Sequence, residues 1–158
     1  MLDAMAFRKV MGTYPTGVTV VTARDPEGGP VGLTVNSFTS VSLDPPLVLV
    51  CIDRSAASHD RLLDAGGFVV NILASDQARI ASRFAAEPSG GRSDGVDWHG
   101  GPAGAPVLAS VSAWLACTLQ VAHTAGDHSI LLARVDEAGV GSSEALAFCR
   151  GSYGAVVR

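Results

Sequence analysis

Short apolar segments rich in β-branched residues recur along this chain and predict a mainly β structure. Such runs are typical of buried strands. Four stretches have this character, namely residues 17–22, 47–52, 68–73 and 130–135. Residues 111–124 alternate between two faces as in a strand, and 147–149 are predicted as a last short strand. Gly and Pro residues then form a turn at 25–30, which predicts a hairpin over 18–36.

Three other segments have helical signals. Asp3 is a suitable N-cap and Gly12 a suitable end for a helix in the first dozen residues. Further helices are predicted over 55–64 and 75–84. Residues 86–106 are rich in Gly, Pro and Ser and predict a long irregular loop, which is usually functional or mobile at this length.

These elements predict one mainly β domain over residues 1–158, with seven or eight strands and three helices. The strands follow one another through short connections, which favours antiparallel pairing. Closure of such a sheet into a barrel removes its exposed edges, so a barrel is favoured over an open sheet.

Composition narrows the class of protein. Hydrophobic residues make up 47% and charged residues 16% of the chain, a low charge that predicts an oligomer. The net charge of −4 and the absence of a basic patch argue against a nucleic-acid partner. No apolar run is long enough to span a membrane, and the N-terminus does not resemble a signal peptide. Three widely spaced cysteines favour the reducing cytoplasm over a disulfide-bonded framework.

The segment 32–46 is unusually dense in small hydrogen-bonding side chains and ends in a double proline. Its hydroxyl and amide residues are Thr34, Asn36, Ser37, Thr39, Ser40 and Ser42. An exposed antiparallel strand would explain them, since Thr is common there. A pair of extended segments that wraps a large polar aromatic ligand would explain them equally well.

Most catalytic signatures are missing from the sequence. There is no phosphate-binding P-loop, no dinucleotide-binding glycine motif, no serine nucleophile elbow and no metal-ligand spacing among the four histidines. A polar lining without a nucleophile can still catalyse where a cofactor carries the chemistry. A flavin suits this pattern, because its ring needs hydrogen-bond donors. Its phosphate could be held by Ser55 and Ser58 at a helix start and by Arg83.

Several segments, in order along nearly the whole chain, carry a family resemblance. They are 16–22, 32–46, 68–73, 82–84, 104–108 and the Gly-Asp-His triplet at 126–128. Together they resemble the flavin reductase family of split-barrel flavin-binding proteins, the reductase partners of two-component monooxygenases. The least similar part of the chain is the loop at 86–101.

The resemblance implies a six-stranded antiparallel Greek-key split β-barrel with a few flanking helices, assembled as a homodimer. It implies an NADH- or NADPH-dependent reductase that transfers a hydride to FMN or FAD. The reduced flavin would then pass to a separate monooxygenase. The sequence does not distinguish FMN from FAD, and no basic cluster points to NADPH.

The resemblance also implies a set of site residues. Those expected around the flavin ring and ribityl chain are Thr34, Val35, Asn36, Ser37, Ser40, Ser42, Cys51 and Asp53. Those expected near the phosphate end are Ser55, Ser58 and Arg83, and Phe84 is expected as a further flavin-binding residue. His128 would lie beside the nicotinamide as the catalytic residue, with Tyr153 near it. No metal ligand is expected.

Two other functions are compatible with the same barrel. A non-catalytic flavin carrier would share the ring-binding residues, and only the nicotinamide side around His128 would separate it from a reductase. A split-barrel oxidase of a pyridoxine-type phosphate would need more basic residues than this chain has. Several of the site residues also have ordinary explanations: Cys51 as core, Arg83 as a solvated helix residue, and His128 as part of a turn.

Overall fold

The computed structural model describes residues 1–27, 29–86 and 95–156. These residues form three α-helices, α1 (Ala4–Met11), α2 (His59–Ala65) and α3 (Ala78–Ala86), and a short 3-10 helix, Pro102–Gly104. They also form twelve strands: β1 (Thr16–Gly17), β2 (Thr19–Arg24), β3 (Pro30–Val35), β4 (Phe38–Leu43), β5 (Pro46–Asp53), β6 (Gly67–Ile72), β7 (Trp98–Gly100), β8 (Pro106–Leu108), β9 (Ala113–Ala125), β10 (His128–Val140), β11 (Leu146–Cys149) and β12 (Ser152–Ala155). The predicted mainly β class is confirmed.

Seven of these strands form one antiparallel sheet in the order β3-β2-β6-β9-β10-β5-β4. β3 approaches β5 across the interior, so the sheet is curled on itself. The main sheet therefore has seven strands where six were expected. Asn36 and Ser37 interrupt the hydroxyl-rich segment, and its two halves lie in the separate edge strands β3 and β4. The described residues add two small sheets, β1-β11-β12 and β7-β8.

The core lies inside the curled sheet. Val21, Val50 and Val70 are completely buried there, and Phe68 and Leu131 are almost so. Alternate residues of each strand supply these side chains, because successive side chains point to opposite faces of a sheet. Burial of each side chain of this size stabilises the fold by about 1.5–3 kcal/mol.

A buried amide joins three strands beside this core. The Nδ2 of Asn71 on β6 donates to the carbonyl of Val20 and to Thr22 Oγ1, both on β2 and both at 3.0 Å. Its Oδ1 accepts a hydrogen bond from the backbone N–H of Leu108 on β8 at 2.9 Å. Asn71 is fully buried, so these bonds satisfy polar groups that water cannot reach.

The helices are confirmed, with later starts for two of them. The N-cap of α1 is Asp3, whose carboxylate accepts the Ala6 N–H at 2.8 Å. α2 starts at His59 instead of residue 55, because Asp53 binds the backbone and hydroxyl of Ser55 and holds the intervening residues in turns. α3 starts at Ala78 instead of residue 75. Among the described residues, no helix has the length and apolar character needed to cross a membrane.

The predicted loop at 86–106 is partly ordered into strands, and residues 87–94 lie outside the described part of the chain. β7 and β8 pair with each other, around a 3-10 helix in which Ala103 has a positive φ of 56°. Short strands that pair locally have too little apolar pattern to stand out in a sequence rich in Gly and Pro.

Candidate functional site

The outer face of β5 presents a row of half-buried and exposed residues. Val50 and Ile52 point into the core, so Leu49, Cys51 and Asp53 point outward. Residues two apart on a strand are separated by about 7 Å. The three outward side chains therefore cover a distance comparable to that of a fused aromatic ring system.

Neighbouring strands extend this row. His128, the first residue of β10, lies directly opposite Asp53, and Thr39 of β4 lies opposite Leu49. Directly opposed residues of an antiparallel pair share one face of the sheet. The face therefore has His128 and Asp53 at one end, Cys51 in the middle, and Leu49 with Thr39 at the other end.

Ser37 hydrogen-bonds the connection between β3 and β4 to Cys51, in the middle of the row. Its hydroxyl donates to the carbonyl of Cys51 at 2.8 Å, and the Cys51 N–H donates to the carbonyl of Ser37 at 3.2 Å. Asn36 is exposed next to it. Three predicted ring-binding residues, Asn36, Ser37 and Cys51, consequently line one cavity of about 690 Å³.

The opposite wall of this cavity comes from residues that the sequence did not indicate. α1 and the segment after it supply Arg8, Met11, Tyr14 and Thr16, and β11 supplies Phe148. β1 pairs with β11, which brings residues more than a hundred positions apart together at the cavity. No local signal in the sequence reports such a pairing.

The His128 end of the row is held by a short turn. An ionised carboxylate can only accept hydrogen bonds, so His128 Nδ1 donates to Asp127 Oδ1, at 2.7 Å. This hydrogen bond holds the pKa of Asp127 below its ordinary value. Gly126 has a φ of 63°, which favours glycine at the turn, and the Arg54 N–H binds the Asp127 carbonyl at 2.9 Å.

The start of the segment after β5 is held by hydrogen bonds between its own residues. The N–H and hydroxyl of Ser55 both donate to Asp53 Oδ1, at 2.8 and 2.7 Å, and hold the pKa of Asp53 below its ordinary value. The Ser58 side chain is fully buried, and its oxygen has no hydrogen-bond partner among the described residues. His59 is also buried and its Nε2 lies 2.9 Å from Ser129 Oγ, which joins α2 to β10 beside His128.

Some predicted site residues lie away from the cavity. The hydroxyl of Thr34 donates to the Ala81 carbonyl on α3 at 2.6 Å, and Val35 is buried in the core. Phe84 is buried against β3 at Gly32, where an added Cβ would come within 2.9 Å of its ring. In this structure Thr34 therefore hydrogen-bonds β3 to α3, and the side chains of Val35 and Phe84 pack in the core.

The remaining predicted residues lie around the periphery. Ser40 and Ser42 are further along β4 than Thr39 and do not line the cavity. Tyr153 packs on Phe148 with ring centroids 5.4 Å apart, so it lies one ring behind the cavity wall. Arg83 lines a separate cavity of about 900 Å³ on α3, together with Arg79.

Comparison with known proteins agrees with this architecture. Residues 11–156 match the family described as flavin reductase like domain. The chain is 44% identical over 154 residues to a flavin reductase from Pseudomonas putida, covering 97% of this chain and 90% of the relative. It is 43% identical over 153 residues to the stachydrine N-demethylase reductase subunit Stc3 of Rhizobium meliloti (strain 1021), covering 97% of this chain and 66% of that relative.

A solved structure is similar over the full length. The NADH:FAD oxidoreductase SgcE6 of Streptomyces globisporus superposes with a TM-score of 0.93 at 39% identity, covering 100% of this chain and 98% of that chain. The fold, the ordered sequence motifs and these matches lead to one conclusion. This chain belongs to the flavin reductase like domain family.

Proposed function

We propose that this protein is an NADH-dependent flavin reductase that reduces FMN or FAD and releases the reduced flavin to a separate monooxygenase. The observation that carries the proposal is the continuous outer face from Thr39 through Cys51 to His128, next to a cavity of about 690 Å³. Relatives support the reaction, since one is named an NADH:FAD oxidoreductase and another a reductase subunit of a demethylase.

The cavity suits a flavin ring in size and in chemistry. Its volume falls within the range of about 300–1,000 Å³ that is usual for ligand sites. Aromatic side chains line it at Tyr14, Phe38 and Phe148, and Asn36 and Ser37 provide polar groups at one edge. A ring with an apolar body and a polar edge needs this combination of groups.

We assign the ribityl and phosphate end to the Asp53–Ser58 side. Asp53 follows Cys51 along the row, and the turns toward α2 start there. Arg83, which was expected at the phosphate end, lines the separate cavity on α3.

We assign the nicotinamide to the His128 end. Nδ1–H of His128 donates its hydrogen bond to Asp127. In a neutral ring Nε2 then carries no hydrogen and is available as an acceptor. Nε2 can then accept a hydrogen bond from a carboxamide N–H₂. The His128 side chain is 42% exposed, so a second ligand can reach it. A bound flavin supplies the hydride acceptor, and the protein supplies position and electrostatics.

Anaerobic mixing of the protein with NADH and free flavin tests the activity. We expect the yellow colour of the flavin to bleach at a rate that rises with protein concentration. A parallel sample with NADPH reports the choice of donor. If bleaching is no faster than in buffer while flavin still binds, the protein is a flavin carrier and the reductase proposal is wrong.

We also propose a homodimer, supported by the exposed surface of α1. No residue of α1 is buried, and its apolar side chains Met5, Phe7 and Val10 are 54–81% exposed. A helix of eight residues is too short to be stable by itself in water. A second copy of the chain would cover these side chains next to the cavity.

Sedimentation velocity tests the assembly. We expect a dimer at micromolar concentration, and we expect Phe7→Glu to shift it toward monomer because the change places a charge on the covered surface. Lys9→Gln on the same helix introduces no negative charge among these side chains and should remain dimeric. A wild-type monomer at the highest soluble concentration would contradict the proposal.

A further inference from the structure

The wall that α1 contributes to the cavity contains a single charge. Of the described residues that line this cavity, only Arg8 carries a formal charge, and none is acidic. The polar atoms on the other wall belong to neutral groups at Asn36, Ser37 and Thr39. One wall of the cavity therefore carries a positive charge, and no acidic side chain among the described lining residues neutralises it.

The Arg8 side chain is not used to hold the fold together. Its guanidinium makes no hydrogen bond or ion pair with any described residue, although it lies in the last turn of α1. Arginines elsewhere in the described chain do form ion pairs. Arg61 is paired with Asp25, and Arg134 with Asp136 at 2.8 Å. A cation that lines a cavity without a protein partner is suited to a negatively charged ligand group.

A second polar atom on the same wall also lacks a partner. The Thr16 hydroxyl oxygen is buried and has no hydrogen-bond partner among the described residues. Thr16 lines the same cavity as Arg8. A buried polar atom without a partner costs stability, and a hydrogen bond to a ligand or to an ordered water relieves that cost.

We propose that Arg8, assisted by the Thr16 hydroxyl, binds the negative charge that appears on the flavin ring when it is reduced. This inference rests on the function proposed above. A hydride brings two electrons and one proton, so its transfer from NADH, which leaves as NAD⁺, adds one negative charge to a neutral acceptor. The phosphate end is assigned to the Asp53–Ser58 side, whereas Arg8 belongs to the wall facing Ser37 and Thr39, where the ring is placed.

The physical consequence is a difference between the two oxidation states. An arginine near the neutral oxidised ring gains little from electrostatic attraction. Near the reduced anion it gains a charge-assisted interaction, which a partly exposed site reduces but does not abolish. Arg8 therefore favours the product of the reaction over its substrate and increases the driving force for hydride transfer.

Equilibrium binding to each redox form tests this role independently of turnover. The probes are FMN and anaerobically reduced FMN, titrated into wild type, Arg8→Gln, Arg8→Lys and Lys9→Gln. We expect Arg8→Gln to weaken binding of reduced FMN about tenfold and of oxidised FMN less than about twofold. Arg8→Lys should recover most of the loss. Lys9 has the same charge on the same helix but does not line the cavity, so Lys9→Gln should match wild type.

The other outcomes are equally decisive. Equal weakening of both redox forms in Arg8→Gln would show that Arg8 contacts the flavin without sensing its charge, and no weakening would show that it does not contact the ring. Either result overturns the inference and leaves the reductase proposal intact. Failure of wild type to bind FMN in either form would instead overturn the proposed function. Circular dichroism and sedimentation of each variant exclude an effect through folding or assembly.

Discussion

His128→Ala is expected to lower kcat/KM for NADH about 10- to 100-fold, mainly through a higher KM. The loss corresponds to one hydrogen bond from the nicotinamide carboxamide to Nε2, together with the orientation that this bond provides. The affinity for flavin should change less than about twofold, because the ring is assigned to Ser37 and Cys51, about 7 Å along the row. Steady-state kinetics and a flavin titration measure both quantities.

The control for this variant is His99→Ala. His99 lies on β7, outside the row and the cavity, so its loss should leave both constants unchanged. Asp127→Asn should give an intermediate loss, because an amide orients the imidazole less firmly than a carboxylate does. Equal loss of NADH use and flavin binding in His128→Ala would show that His128 serves the structure of the turn.

Asn71→Leu is expected to lower the free energy of unfolding by about 3–4 kcal/mol. The substitution removes three hydrogen bonds and leaves the Leu108 N–H buried without its acceptor. Each buried polar group left unsatisfied costs about 1–3 kcal/mol. The loss cannot be repaired by water, since Asn71 is completely buried. Urea denaturation of the two proteins measures the difference.

Asn36→Leu is the matched control, because it makes the same change at an exposed asparagine. It should alter the free energy of unfolding by less than about 0.5 kcal/mol. Its flavin affinity should fall, since Asn36 lines the cavity. The two variants thus separate stability from binding. A stable Asn71→Leu protein would contradict the structural role given to this amide.

The longer strands were predictable because they have a strong local pattern. The apolar run at 47–52 lies within β5, and the alternating stretch at 111–124 overlaps β9. Strand order was harder, because β2 pairs with β6 and β1 with β11 across long stretches of chain. These pairings depend on the whole fold and cannot be recognised from a short stretch of sequence.

The cavity proposed as the flavin site was only partly predictable. Asn36, Ser37 and Cys51 line it, and these residues were expected at the ring from the family resemblance. Arg8 and Thr16 were not expected to line a cavity, because neither an N-terminal helix nor the two-residue strand β1 shows in the sequence which side faces the cavity. The cavity wall is built only when β1 pairs with β11, so its residues could be found only from the structure.

Competition between local interactions explains other differences. Ser55 was expected at a helix start, but its N–H and hydroxyl are both bound by Asp53. Phe84 was expected near the flavin from the family resemblance, and its ring is buried beside Gly32, which leaves room for it. Neither contact could be recognised from the local sequence.

A crystal structure of the protein with bound flavin and a nicotinamide cofactor tests the central claim most directly. We predict that the flavin ring lies against Ser37 and Cys51, with the nicotinamide next to His128. A ring seated in the separate cavity of α3, or a His128 end covered by the protein when flavin is bound, would contradict the account.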